Sequence, residues 1–563
     1  MNVLGISCYY HDAAAALVRD GVVIAAAEEE RFTRRKHDRS FPAKAIRFCL
    51  EFGGLQGADV DLAVFYEKPL RKLQRRLQTA ASSGDAASSA VARHVRHYLH
   101  QLATLPQLLA DTIGYNGELL YSEHHLSHAA SCFYASPFDE AAILTVDGVG
   151  EWATTGQFIG SGNRIEALRE IRYPQSLGMF YAALTAYLGF EVNEGEYKVM
   201  GLASYGQPVY GAEMAKLMEL HDDGSFRVDL SFFDYVHSLE RMFSPKLVEL
   251  LGPPRLPAEP VERRHMDIAA SVQRRVEEAL SNLARSLKDA TGSRHLCMAG
   301  GVAHNVVANS AIQRSGMFDD VFIQPASGDS GAAVGAALEG YWRAVETPRT
   351  PRPHYDTCLG PAFDEAAIAK VLKARRLTFQ KLPPEELCGE VAKLIHADLV
   401  VGWFQGRMEF GPRALGQRSI LGNACNPETK DILNVRVKLR EEFRPFAPIV
   451  TEEALDLYFD QPTPSPYMLY APRVRPGMEA RVPAGTHVDG TARVQTVSAE
   501  RNPLLHRLLK EFEALSGVPV MINTSFNVKG EPIVCTPEDA VNCFLRTDID
   551  YLAIGDFLVE KAF

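Results

Sequence analysis

The chain has 563 residues, a formal net charge of −11, and 46% hydrophobic and 23% charged residues. That balance describes ordinary globular domains, two large or three small, and excludes a general charge bias toward nucleic acid. It contains no apolar run of the roughly 18 residues a spanning helix needs. MNVLGISCYYHD lacks the order of an export signal, and nine scattered cysteines without a CxxC pair read as reduced thiols, so the expectation is a cytoplasmic protein with no membrane partner.

The opening VLGISCYYHDAAAALVRDGVVIAAAEEERF predicts a strand, a turn at Arg19-Asp20-Gly21 and a second strand. EAAILTVDGVGEWATTGQFIG predicts a second such unit, bending at Val146 to Gly150. Two strand–turn–strand units separated by helical sequence suit the duplicated, phosphate-clamping fold of actin-like ATPases. Between them, the segment from Leu70 to Gly114 reads as helices broken by Ser/Gly, with the basic residues of 71–97 expected on an exposed face. Residues 346–361 carry four prolines and little apolar periodicity, which marks a linker between domains 1–345 and 362–563. Helix, strand, a basic stretch and an αβ segment around VPVMINTSFNVKGEPIV follow.

Several constellations can carry chemistry. His124 and His128 are four apart, on one face if helical, but HHLSH lacks the glutamate of a zinc-protease motif. With Asp147 and Asp329, both in glycine-rich turns, they make a mixed N/O set suited to iron, zinc or manganese; each alone is equally a structural hydrogen-bonder. Cys297 to Val302 ends a strand before a helix, Gly328 to Gly331 repeats the pattern, and Glu196 to Ala203 sets Lys198 beside a turn, three places for a nucleotide phosphate or for close helix–sheet packing. Neither GxxxxGK[ST] nor GxGxxG occurs. His11-Asp12 at the first strand's end suits a base oriented by a carboxylate, and equally a core histidine beside a capping aspartate. AEEERFTRRKH places Lys36 near the same mouth, after a Glu28-Glu29-Glu30 run that reads as structural or solvated.

Residues 406 to 446 form the most pointed segment. Arg407, Arg413, Arg418, Arg436, Arg440 and Arg444 recur beside Gly406, Gly411 and Gly416 in an acidic chain. Forked guanidinium donors next to glycine turns suit a compact, multiply charged oxyanion.

HDAAAALVRDG, AEEERFTRRKH, HHLSHAASCFYASPF, EYKVMGLASYG, AGGVAHN, GRMEFGPRALGQRSIL, VKLREEFRPFAP and NTSFNVKGEP together resemble the O-carbamoyltransferases of the nodulation and antibiotic-tailoring type, such as those acting on tobramycin, cephamycin and novobiocin precursors. The resemblance covers nearly the whole chain. It implies an α/β protein with an N-terminal Kae1-like (actin-like) domain and a C-terminal YrdC-like domain. It also implies two half-reactions. Carbamoyl phosphate and ATP give carbamoyl-adenylate in the C-terminal domain, and the N-terminal domain then passes the carbamoyl group to the hydroxyl of a specialised metabolite.

By the same resemblance, carbamoyl phosphate contacts fall to Arg413, Arg418, Lys438, Arg444, Arg493, Asn523 and Ser525. Metal ligation falls to His124, His128, Asp147 and Asp329, with Fe2+ the expected ion and Mg2+ accompanying ATP. Nucleotide contacts fall to Lys36, Gly300, Gly301 and Asn305, and the acceptor-side base to His11. The bulky Tyr9-Tyr10 pair departs from the family's pattern where it faces the acceptor, so the acceptor's identity does not carry over. The expected partners are small molecules, with no nucleic acid and with a homodimer left open. The alternative reading is a tRNA threonylcarbamoyl-adenosine type enzyme.

Overall fold

Small apolar residues on either side of Asp20-Gly21 allow three strands to meander with almost complete burial. In the computed structural model, β1 (Asn2–Ser7), β2 (Ala14–Arg19) and β3 (Val22–Glu28) are antiparallel, with Asn2 opposite Arg19 and Arg19 opposite Val22. β4 (Leu62–Phe65) and β5 (Leu119–Tyr121) join in parallel, giving the order β3-β2-β1-β4-β5. The structure describes residues 1–82, 85–238, 241–441 and 443–561.

The second sheet repeats the first. β6 (Glu140–Val146), β7 (Ala153–Ser161) and β8 (Arg164–Arg172) are antiparallel; β9 (Met218–Leu220) and β10 (Phe226–Val228) pair separately. β11 (His295–Ala299) and β12 (Asp320–Ile323) then extend the sheet in parallel beside β6. Three antiparallel strands followed by two parallel ones, twice over, is the duplicated arrangement of the actin-like ATPases. Small residues let its helices close in: a Cβ on Gly335 would lie 1.7 Å from the Ser127 carbonyl oxygen, and one on Gly5 would lie 2.0 Å from that of Ala333. The helices His124–Phe133 and Asp329–Ala344 therefore pack backbone to backbone.

The C-terminal unit is built on one mixed sheet of β13 (Phe379–Lys381), β14 (Val401–Phe404), β15 (Arg418–Asn423), β16 (Ala447–Thr451), β17 (Gln495–Val497), β18 (Val520–Ser525), β19 (Tyr551–Ile554) and β20 (Phe557–Glu560). Their order is β13-β20-β19-β14-β15-β18-β16-β17. Successive residues of β14 serve the two faces: Trp403 belongs to the cluster under the helices Pro384–His396 and Pro503–Ser516, and Phe404 to the opposite cluster.

The chain divides into Met1–Glu29 with His37–Tyr355, and Glu30–Lys36 with Asp356–Phe563. The break at Tyr355/Asp356 falls inside the 346–361 linker. The Glu30–Lys36 segment corrects the assignment of all of 1–345 to the N-terminal domain: Arg34 donates to the carbonyls of Ile533 (2.7 Å) and Pro532 (2.8 Å), and Arg31 to that of Gly411 (3.0 Å).

Of the two readings of the glutamate run, structural or solvated, the structure bears out the first: Glu28, Glu29 and Glu30 are buried, and Glu29 accepts the Ala45 (2.8 Å) and Lys44 (3.0 Å) amides at the start of the helix Ala43–Gly53, where a carboxylate is favoured. Two other expectations change. Glu196–Ala203 is a helix, not a turn. In the helix Pro69–Ser82, Lys72 and Arg75 face inward, against the exposed face expected of 71–97; within that segment the side chains of 80–94 and 96–97 lie outside the described residues. Among the described residues no two cysteines form a disulfide, and no helix is long and apolar enough to cross a membrane.

Candidate active site

The i,i+4 spacing does what it promised. On the helix His124–Phe133, His124 and His128 bring their Nε2 atoms within 3.1 Å of each other. Asp147, leaving β6 at the hairpin bend, sets Oδ2 2.9 Å from His124 Nε2 and 3.5 Å from His128 Nε2. Asp329, first residue of its helix, sets Oδ1 3.7 Å from both. All four ligand atoms lie within 4.8 Å of one another.

Metal–ligand bonds of about 2.1 Å put ligand atoms roughly 3.0–3.4 Å apart around a tetrahedral or octahedral ion, so this donor set fits a transition-metal dication. The electrostatics agree. Burial opposes charge on Asp147, but hydrogen bonds from His124 and His128 outweigh it and hold the carboxyl well below its usual range; burial opposes charge on Asp329 too, and the field of His124 and the hydrogen bond from His128 lower it nonetheless. Burial likewise opposes charge on His128, yet the two carboxylates raise it to about 9. His125, between the ligands, is pushed down to about 3 by burial and its cationic neighbours, and its Nδ1 pairs with Thr145 Oγ1 at 2.7 Å.

The glycine turn after β11 meets this cluster. Gly300 has φ 95°, and the Gly301 amide donates to Asp147 Oδ1 at 3.1 Å. Asn305 caps the helix Val306–Arg314: its Oδ1 accepts from Ala308 N–H (3.1 Å) and Gln273 (3.0 Å), so much of its amide is committed to structure. Lys36 is the last residue of Glu30–Lys36 and so belongs to the C-terminal unit.

His11 sits in the β1–β2 connection, bent by left-handed Tyr9 (φ 75°) and Asp12 (φ 51°). Its Nδ1 is 3.0 Å from Asp12 Oδ2, while Asp12 Oδ1 is 2.7 Å from His37 Nδ1. Burial works against charge on His11; the Asp12 hydrogen bond and the fields of Asp329 and Asp147 outweigh it and raise the imidazole to about 9. Of the five residues assigned to the base and the nucleotide, the structure thus gathers His11, Gly300 and Gly301 around the carboxylates.

In the C-terminal unit the basic stretch resolves into two kinds of arginine. Arg418 is a staple. It is completely buried, its guanidinium donates to the carbonyls of Gln405 (2.6 Å), Gln417 (3.1 Å), Pro361 (3.1 Å) and Gly406 (3.2 Å), and it lies 3.7 Å from the Phe404 ring centre. Both terminal nitrogens are committed to backbone carbonyls and only the buried Nε is without a partner among the described residues, so the residue serves structure beside its expected oxyanion role.

Arg493 is the opposite case. Burial, then Arg413, Arg440 and Arg444, pull its basicity well below the ordinary value, and among the described residues no hydrogen bond or ion pair is made to it. Four guanidiniums in mutual repulsion mark a place for an anion. Lys438 shares that field but is engaged: Nζ donates to Asn527 Oδ1 (2.6 Å), Ser525 O (2.7 Å) and Asn527 O (2.9 Å), with Ser525 Oγ at 3.2 Å. Asn523 donates to Gln495 Oε1 (2.8 Å) and Ala414 O (3.2 Å), while its Oδ1 is buried with no donor among the described residues. Arg440 and Asn527 were not assigned from sequence. VKLREEFRPF sets Arg440 four residues before Arg444, which was the available signal; nothing near Asn527 pointed to Lys438.

Comparison with known proteins bears on both units. A Synechocystis sp. protein, "Uncharacterized protein sll1178", is 45% identical over 100% of this chain and 97% of its own length. The nodulation protein NolNO of Sinorhizobium fredii is 37% identical over 98% of this chain and 79% of its own. Nodulation protein U of Rhizobium tropici is 31% identical over 96% and 93%. Residues 2–338 match the family described as Carbamoyltransferase N-terminus and residues 392–561 that described as Carbamoyltransferase C-terminus, a match that takes in both the histidine–aspartate cluster and the arginine cluster. The chain is an enzyme of the carbamoyltransferase family.

Proposed function

We propose that the protein is an ATP-dependent O-carbamoyltransferase whose two units divide the reaction. At the arginine cluster, carbamoyl phosphate and water give carbamate and phosphate. A carbamate oxygen then attacks the α-phosphorus of ATP, forming carbamoyl-adenylate and releasing pyrophosphate. In the N-terminal unit an alcohol oxygen attacks the carbamoyl carbon, AMP leaves, and the hydroxyl proton passes to a base. The observation that carries this reading is Arg493, a half-buried arginine whose Nε is closed off from solvent, among Arg413, Arg440 and Arg444 and with no anion from the described residues. A phosphate group supplies the missing charge. Asn523 Oδ1, buried without a donor, is suited to accept from the amide of the carbamoyl group.

In the N-terminal unit His124, His128, Asp147 and Asp329 would hold a divalent cation, which when bound would polarise a carbonyl or phosphoryl oxygen. Its charge also bears on His11. Neutralising Asp147 and Asp329 removes two contributions that hold His11 protonated and brings the imidazole towards the neutral form a base requires. The acceptor reading is a hydroxylated specialised metabolite. Arg493→Gln tests the assignment: KM for carbamoyl phosphate in pyrophosphate release should rise at least about 10-fold, as for loss of a charge-assisted contact. An unchanged KM removes the anion site.

A further inference from the structure

The helix Pro69–Ser82 is turned inside out. Leu70 and Leu77 are 74% and 48% exposed, whereas Lys72 and Arg75 are 4% and 7% exposed. Burying cations while leaving leucines in water is unfavourable unless each charge finds a counter-charge. Lys72 has one, with Nζ 2.6 Å from Glu67 Oε2. Arg75 has none: among the described residues its guanidinium makes no hydrogen bond or ion pair, and its Nε is buried without a partner. It lies 4.9 Å from the ring centre of Tyr173, a cation–π contact that orients the guanidinium without neutralising it.

The position is informative. Lys72 Nζ is 5.4 Å from the Tyr10 ring centre, and the Tyr10 ring is 4.7 Å from that of His11. Tyr10 also lies in the fields of Asp147, Asp329 and Arg75 together. The inverted helix thus lines the side of the site where His11 stands. The carbamoyl phosphate anion already has its own cluster in the other unit, around Arg493.

We infer that Arg75 is the counter-ion for an oxyanion carried by the acceptor, so that the alcohol carbamoylated by this enzyme is an acid, bearing a carboxylate, sulfate or phosphate near the reacting hydroxyl. This rests on the carbamoyl-transfer reading above. Tyr173 packs against the guanidinium, Lys72 is paired with Glu67, and Arg75, in the field of Arg76, keeps an uncompensated positive charge for an anionic group.

The test uses matched acceptors, glycerate against glycerol and methyl glucuronide against methyl glucoside, with carbamoyl-adenylate and carbamoylated product measured in the same reaction. The wild type should turn over at least one acid with kcat/KM about 10-fold or more above its neutral partner. Arg75→Gln should erase that preference through KM, leave adenylate formation unchanged, and melt at the same temperature or higher, because it removes an uncompensated buried charge. The inference is overturned by equal or better turnover of the neutral partners, or by adenylate accumulating with no acid accepted. It is also overturned by equal slowing of acid and neutral acceptors in Arg75→Gln, the mark of a contact to the adenylate, or by a clear fall in that variant's melting temperature, the mark of a structural arginine. A wild type that forms no adenylate refutes the underlying reading instead.

Discussion

The Gly301 amide donates to Oδ1 of Asp147 at 3.1 Å, so the turn after β11 and the carboxylate at the end of β6 form one construction. A glycine turn suited to a nucleotide thereby touches a residue suited to a metal, and two neighbouring parallel strands of the second sheet supply both. At Gly300 the φ of 95° favours glycine, and a Cβ there would lie 2.3 Å from the Val146 carbonyl oxygen. Gly300→Ala should therefore displace Asp147 and weaken both metal content and carbamoyl transfer. Elemental analysis beside a product assay checks this; full metal content would show that the turn is not coupled to the cluster.

Removal of a ligand is more direct. His128→Ala or Asp329→Asn should reduce bound metal several-fold and stop transfer from preformed carbamoyl-adenylate, while carbamoyl phosphate-dependent pyrophosphate release persists. Dialysis against a chelator should have the same split effect and be reversed by metal. Wild-type metal content in both variants would contradict the assignment.

Arg418 and Arg493 should fail differently. Arg418→Met leaves carbonyls of Gln405, Pro361 and Gly406 without their donor and should lower the melting temperature markedly. Arg493→Gln relieves repulsion among clustered, half-buried cations and should leave the melting temperature equal or higher while weakening carbamoyl phosphate binding. Thermal denaturation of the two variants side by side distinguishes a staple from a binding group.

His11 gives a pH signature. Its folded value of about 9 lies above the ordinary 6.5, so the folded state holds the proton more tightly. The stability this confers on the metal-free protein is full below about pH 6.5 and is lost as pH rises through about 9. Denaturant titrations at both pH values should show the wild type losing stability relative to His11→Gln. In the metal-loaded enzyme His11→Ala should preserve adenylate formation and slow transfer to the alcohol by about 10²–10⁴-fold.

The parts of this site set by local spacing were legible in the sequence. His124 and His128 needed only a helix, and Asp147 only a hairpin bend; the repeated strand–turn–strand units announced the duplicated fold. The parts set by remote packing were not. Arg418 lies in the same glycine-rich motif as Arg413, and only the Pro361 and Gln405 carbonyls, far off in sequence or across the strand pair, turn it into a staple. Nor did local spacing announce that seven residues, Glu30–Lys36, leave one unit to build the other. Lys72 and Arg75 read as a solvated face because polarity normally points outward, and on this helix the site reverses the rule.

The central claim is that carbamoyl phosphate and ATP are joined through a carbamoyl-adenylate. Incubation with carbonyl-labelled [13C]carbamoyl phosphate, ATP and the metal-loaded enzyme without acceptor, read by mass spectrometry, tests it. The account predicts carbamoyl-AMP carrying the label, formed in step with pyrophosphate and lost in Arg493→Gln. Direct carbamoylation of an added alcohol without ATP, pyrophosphate or adenylate would contradict it.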